Sequence, residues 1–158
     1  MKIIYYCFGG THSSVTAAAI HLGLLPRDRL PPAGEIAAIP WFDRRDTRQQ
    51  GIPAFLGRDD RGNEVYVLGW PGRPQLIELV YAGLAGIFSL PAGSYKLVNV
   101  KEHVNLIMKA GGFLSRRLGW VTLGRPLAAR GIRRAYPALR ALVQAVLQEL
   151  EPERHRLQ

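Results

Sequence analysis

The chain has 158 residues, 47% of them hydrophobic and 21% charged. With no low-complexity tract, those proportions suit a folded domain of ordinary size and exclude collagen-like, mucin-like and disordered chains. The formal net charge is +9, and the single cysteine, Cys7, excludes an internal disulfide framework and a multi-thiolate zinc centre.

Lys2 to Cys7 is a short apolar run rich in Ile and Tyr, closed by Gly9-Gly10, and predicts a buried strand. Thr11 or Ser13 then caps a helix in which Val15, Ala18, Ala19, Leu22 and Leu25 recur at helical spacing until Pro26. From Pro26 to Gly51, prolines at 31, 32 and 40 predict an irregular surface excursion with one helical turn near Glu35–Ile39. Pro53–Gly57 and Glu64–Gly69 read as strands joined by Arg58-Asp59-Asp60-Arg61-Gly62-Asn63, whose turn chemistry predicts a hairpin. Pro74 opens a helix to Leu90, with Leu76, Ile77, Val80, Leu84 and Ile87 on its apolar face. Tyr95–Val100 is a further buried strand, followed by a helix from Val104 to Leu118 that is weakened at Gly111-Gly112. A Gly- and Arg-rich turn over Gly119–Gly131 leads to a last helix from Pro137 to Leu150.

Strands alternating with helices predict one α/β domain over 1–151, with a frayed tail over 152–158. Its sheet should be mostly parallel with one hairpin, and helices should cover both faces. Ile3–Tyr6 is too short for a signal-peptide core, and Leu76–Leu90 is short for a bilayer span. The expectation is therefore a cytoplasmic protein with no membrane partner, in which Cys7 stays reduced.

The loop Cys7-Phe8-Gly9-Gly10-Thr11-His12-Ser13-Ser14 carries the most chemistry. Ligands of open α/β sheets bind beyond the carboxyl ends of the strands, where a glycine turn bares backbone N–H groups at a helix N-terminus. Gly9, Gly10, Thr11, Ser13 and Ser14 thus form a candidate phosphate-binding set. Cys7, beside those amides, is the candidate nucleophile or phosphate acceptor, and His12 or His103 the proton carrier. A tight turn with an ordinary helix cap and a small core cysteine is the plainer reading of the same residues.

Lys2-Ile3-Ile4-Tyr5-Tyr6-Cys7 followed by Phe8-Gly9-Gly10-Thr11-His12-Ser13-Ser14 resembles the phosphocysteine loop of phosphotransferase-system IIB components over the first twenty or so residues. That resemblance implies a cysteine that accepts a phosphoryl group. The loop is also similar to that of low-molecular-weight phosphatases and arsenate reductases, except that Ser13 takes the arginine position and the Asp-Pro general acid is missing. A Walker A reading fails, because His12 stands near the lysine position without the leading glycine. Over most of residues 1–150 the opening segment, the hairpin Gly57–Tyr66, Leu97-Val98-Asn99-Val100 and Gly124-Arg125-Pro126 resemble a bacterial domain-of-unknown-function family. That second resemblance implies no activity.

No Asp or Glu occurs between His103 and Gln148, where Lys109 and seven arginines fall. Arg116, Arg117 and Arg125 are candidate anion contacts, since guanidinium forks suit phosphate and Gly111-Gly112 and Gly119 let the backbone bend towards a ligand. Asp43-Arg44-Arg45-Asp46 is either a surface charge cluster or a lid. Asp59, Asp60 and Glu64 suit a hairpin turn rather than a cation loop, so neither metal nor cofactor is expected. The sequence thus predicts binding of a phosphate-bearing small molecule at 7–14, with phosphotransfer or phosphoester chemistry through Cys7. The alternative is a non-catalytic module whose basic C-terminal third docks nucleic acid or an acidic protein.

Overall fold

Five consecutive residues, Ile3 to Cys7, are buried, which is possible only for a strand covered on both faces. This strand, β1 (Lys2–Cys7), lies inside a four-stranded sheet with β2 (Ala54–Arg58), β3 (Glu64–Gly69) and β4 (Tyr95–Asn99), in the order β2-β3-β1-β4. It runs parallel to both neighbours, with Lys2 opposite Glu64 on one side and Tyr95 on the other. The predicted hairpin is formed by β2 and β3, which are antiparallel with an irregularity between Phe55 and Gly57. The computed structural model describes residues 1–45 and 47–151, so the tail 152–158 lies outside the described residues.

Alternation along β1 sends Ile3, Tyr5 and Cys7 into the main core, and Ile4 and Tyr6 into a smaller cluster with Leu68 and Ile77. The main core is covered by α1 (Ser13–His21), α2 (Ala33–Ala38) and α5 (Val121–Glu149). All nine residues of α1 are buried, and its Ala17-Ala18-Ala19 run allows close approach on every side. The other face carries α3 (Pro74–Ile87), of which only Ile77 is buried. Four of the five residues predicted to bury there, Leu76, Val80, Leu84 and Ile87, are instead exposed.

The largest departure from expectation is α5. A turn over Gly119–Gly131 and a separate helix from Pro137 are replaced by one 29-residue helix containing Pro126 and Pro137. Each interior proline costs a helix about 3 kcal/mol. The offset is a continuous buried stripe that passes both prolines: Gly124, Ala128, Ile132, Tyr136, Leu139, Val143 and Val146. Burial of an apolar face, rather than propensity, supplies most helix stability in a folded chain.

The helix α4 (Leu106–Arg116) crosses α5 backbone to backbone. A Cβ on Gly111 would stand 2.3 Å from Ala128 N, and one on Gly124 would stand 2.4 Å from Ser115 N. Gly111 therefore serves helix packing and does not bend the chain towards a ligand.

At the far end of α1, His21 Nδ1 pairs with the Tyr5 hydroxyl at 2.8 Å and Nε2 with Asp59 Oδ2 at 3.1 Å, tying the hairpin turn to the core. Asp59 Oδ1 also accepts the Arg61 and Asn63 backbone N–H groups. Burial pulls His21 below its ordinary 6.5, and the Asp59 hydrogen bond only partly opposes it. Burial pushes Asp59 up, but its bonds from Asn63 and His21 outweigh that and hold it at about 2. Both groups have lower pKa values folded than unfolded, so their stabilisation is complete at high pH and fades on acidification. His21 loses it as pH falls below 6.5, and Asp59 only below about 4. The His21→Gln variant should therefore melt at lower temperature at pH 8, yet show a shallower decline in melting temperature between pH 7 and 5. A slope equal to that of the native chain would assign the pH dependence elsewhere.

Candidate active site at the loop after the first strand

The loop between β1 and α1 lies flat against the end of β3. Gly10, at φ +66°, leaves no room for a side chain, because its Cβ would stand 2.4 Å from Gly69 N. The Trp70 N–H donates to Cys7 O at 2.8 Å, and the Asp43 N–H to Thr11 O at 3.0 Å. The loop is thus held from both sides, by β3 and by the 41–45 segment.

Cys7 sits beneath this loop and is 4% exposed. Its Sγ receives the Gly10 N–H at 3.2 Å and lies 3.2 Å from Ser14 Oγ. Two cations belong to the same surroundings. Buried Arg45 spends its guanidinium on the carbonyls of Val67, Gln49 and Ile52, and its N–H donates to Thr11 Oγ1 at 3.3 Å. Lys101, just past β4, donates to Gly72 O. Burial pulls both cations down from their ordinary values, and the charge of Cys7 pulls them back up.

His12, the residue preceding α1, forms the other half of the site. Its Nε2 pairs with Asp43 Oδ1 at 2.9 Å, and its ring packs edge-on against Phe42 at 5.2 Å. Asp43 is 1% exposed, which corrects the reading of Asp43 and Arg45 as a surface charge cluster or lid. The 41–44 turn makes this possible by placing both Trp41 (φ 74°) and Asp43 (φ 55°) in the left-handed region, so that Phe42 and Asp43 turn inward. Strained backbone of this kind persists where the surroundings hold it, often at functional sites.

The end of α4 completes the arrangement. Ser115 Oγ donates to Asp43 Oδ1 at 2.7 Å and Arg116 to Asp43 O at 3.1 Å. Arg125 Nε stands 3.8 Å from Asp43 Oδ2, and neither atom has a hydrogen-bond partner among the described residues. Burial pushes the Asp43 carboxyl up, but the bonds from His12 and Ser115 and the nearby Arg116 charge win and hold it below its ordinary value. Asp43 thereby fixes the His12 ring, with Nε2 committed and Nδ1 facing Gly112.

Of the predicted residues, Cys7, Gly10 and Ser14 form one cluster, His12 and Arg116 join Asp43 in a second, and Thr11 bonds to the 43–45 segment between them; among the described residues no hydrogen bond joins Cys7 to His12. Gly9 approaches Gly69 through its carbonyl oxygen, while Ser13 Oγ is buried with no hydrogen-bond partner among the described residues. His103 emerges from β4 at the same sheet edge, but no hydrogen bond or ring contact joins it to Cys7 or His12. Arg117 is exposed beyond the end of α4. Arg125, a predicted anion contact, instead faces Asp43, and the site residues that sequence reasoning missed are Asp43, Arg45 and Ser115. Asp43 reaches His12 across 31 positions and Ser115 across 72, so no local spacing marks them.

A separate cavity of about 740 Å³ opens at the opposite end of α1, lined by residues including His21, Arg27, Asp59, Arg61 and Gln144. Among the described residues, no group of His, Cys, Asp and Glu is placed to hold a metal ion, and no helix is long and apolar enough to cross a membrane. No curated protein and no solved structure matches the chain. One family model does, over residues 2–148, nearly the full described length. The chain with this cysteine loop and buried His–Asp pair belongs to the family described as "Protein of unknown function (DUF3189)".

Proposed function

We propose that the chain binds a phosphate-bearing small molecule at loop 7–14 and transfers its phosphoryl group through Cys7 in the cytoplasm. The observation that supports this is the enclosure of Cys7 Sγ by the Gly10 N–H and the Ser14 hydroxyl, both at 3.2 Å, within the field of Arg45 and Lys101. In the proposed step the thiolate attacks phosphorus, a P–S bond forms and the P–O bond to the leaving group breaks. His12, oriented by Asp43, gives the leaving oxygen its proton; an acceptor hydroxyl then returns a proton to His12 as its oxygen attacks phosphorus, which breaks the P–S bond and restores the thiolate. Loop amides, the Thr11 and Ser13 hydroxyls and Arg116 supply the donors for the phosphoryl oxygens. Because Cys7 is buried, residues 8–12 must lift for a ligand to enter.

Cys7 is the only thiol, so its alkylation can be followed unambiguously in the intact protein. Alkylation should proceed as fast as residues 8–12 lift, and inorganic phosphate should slow it about tenfold. Alkylation that ignores phosphate would make Cys7 a core residue and overturn the proposal.

A second reading rests on Arg130, Arg133 and Arg134, which lie exposed together on α5 around Leu30. A basic face of this kind would dock nucleic acid or an acidic protein with steep salt dependence. The joint substitution Arg133→Glu and Arg134→Glu separates the readings, since it abolishes such docking and leaves phosphate protection of Cys7 intact.

A further inference from the structure

The helix α3 is apolar on the side that faces away from its own sheet. Leu76, Leu79, Val80, Gly83, Leu84 and Ile87 recur at intervals of three and four residues, which places them on one stripe. The sheet takes a different stripe, on which Ile77 is buried and Tyr81 half-buried. Phe88 and Leu90 extend the outward stripe past the helix end. The seven large side chains from Leu76 to Leu90 on this surface are between 42% and 76% exposed.

Three observations say what covers this stripe. The first is area. The seven side chains leave on the order of 700 Å² of surface open, well beyond an ordinary monomer patch and close to the roughly 800 Å² that each partner brings to a standard interface. The second is charge. Between Pro74 and Tyr95 the only charged residue is Glu78, on a chain whose formal net charge is +9. Two copies can therefore meet here with their basic surfaces held apart. A helix that lies on an anionic lipid surface carries Lys and Arg along its polar face, and α3 has none. The third is shape. A Cβ built on Gly83 meets nothing within 4 Å, so the middle of the stripe holds a gap for a side chain from outside.

We infer that α3 is the interface through which two copies of this chain associate, its outward stripe packing antiparallel against the same stripe of the partner. A two-fold arrangement is self-complementary, which suits a patch with no directional charge. Centring the axis on the stripe sets Leu79 and Val80 of one copy against Gly83 and Leu84 of the other, and Leu76 against Ile87.

Sedimentation equilibrium of the full chain tests the inference. The native protein should show a mass twice the 17.5 kDa of one chain at micromolar concentration. Leu84→Glu and Leu79→Lys should each be monomeric with an unchanged far-UV spectrum, and an equimolar mixture of the two, which sets the two substituted positions against each other, should recover the dimer. Because Leu79 and Leu84 both point away from the core of their own copy, neither substitution threatens the fold. A native chain that stays monomeric overturns the inference, whether or not it binds vesicles of neutral lipid. So does a dimer that survives Leu84→Glu, which would move the interface to the exposed Leu106, Phe113, Trp120 and Leu123.

Discussion

Gly10→Val should destabilise the protein by roughly 3–5 kcal/mol, more than any other single change in the loop. Two costs add. A β-branched residue at φ +66° is strained, and its Cβ would press into Gly69 N from 2.4 Å, a backbone atom held in the sheet. The Gly10 N–H would turn away from Cys7 Sγ as the loop moved to relieve the clash. Denaturant unfolding should therefore show a greatly lowered midpoint, and the residual folded protein should lose any phosphate protection of Cys7. A midpoint close to native would mean that β3 yields readily at Gly69 and that the loop is not clamped there.

Asp43→Ala should be the most damaging change at the His12 end, costing about 3 kcal/mol or more, because it removes a buried carboxylate from among cationic partners. His12 and Ser115 lose their acceptor, and Arg125 loses the charge 3.8 Å away. Alanine is also strained at φ 55°, whereas asparagine tolerates the left-handed region. Asp43→Asn keeps the turn and one acceptor oxygen, so it should cost less, about 1–2 kcal/mol. The two variants also separate charge from shape through pH. Asp43 has a folded pKa below its ordinary 3.8, so its contribution is complete above about pH 4 and is lost as pH falls further. Unfolding free energies between pH 5 and 2 should fall less steeply in Asp43→Asn than in the native chain. Equal slopes would show that other carboxylates, Asp59 foremost, carry the acid sensitivity.

The parts of this fold that sequence reading recovers are those with a local signature. β1 announces itself by the apolar run from Ile3 to Phe8 before a glycine pair, and the hairpin by its Asp-Asp-Arg-Gly-Asn turn. α5 was misread because Pro126 and Pro137 are strong local stop signals, and what overrides them is burial against α1, α2 and α4, which no window of the chain contains. α3 shows the opposite failure. Its periodicity is real, but the stripe of greatest apolarity is not the one that the sheet receives. At the site, the loop from Cys7 to Ser14 was legible because strand, glycine turn and helix follow one another directly. Its partners were not, because Asp43 and Arg45 reach it from an irregular segment whose only cue was charge. The Trp41–Arg44 turn buries Phe42 and, beside it, Asp43, a carboxylate that composition alone would leave in water.

The position of α1 has a consequence for the order in which this chain can acquire its structure. Its nine buried residues emerge well before α5, which covers them and begins about a hundred residues later. At ~5–20 residues per second, that interval lasts roughly 5–20 s on the ribosome. During this time β1 first gains β3, then β4, while Val15, Ala18 and Ile20 still lack their cover. The nascent chain therefore carries an unfinished, apolar N-terminal half that only its last helix closes. Truncation within α5 would leave that half open permanently, a natural substrate for chaperones and proteases.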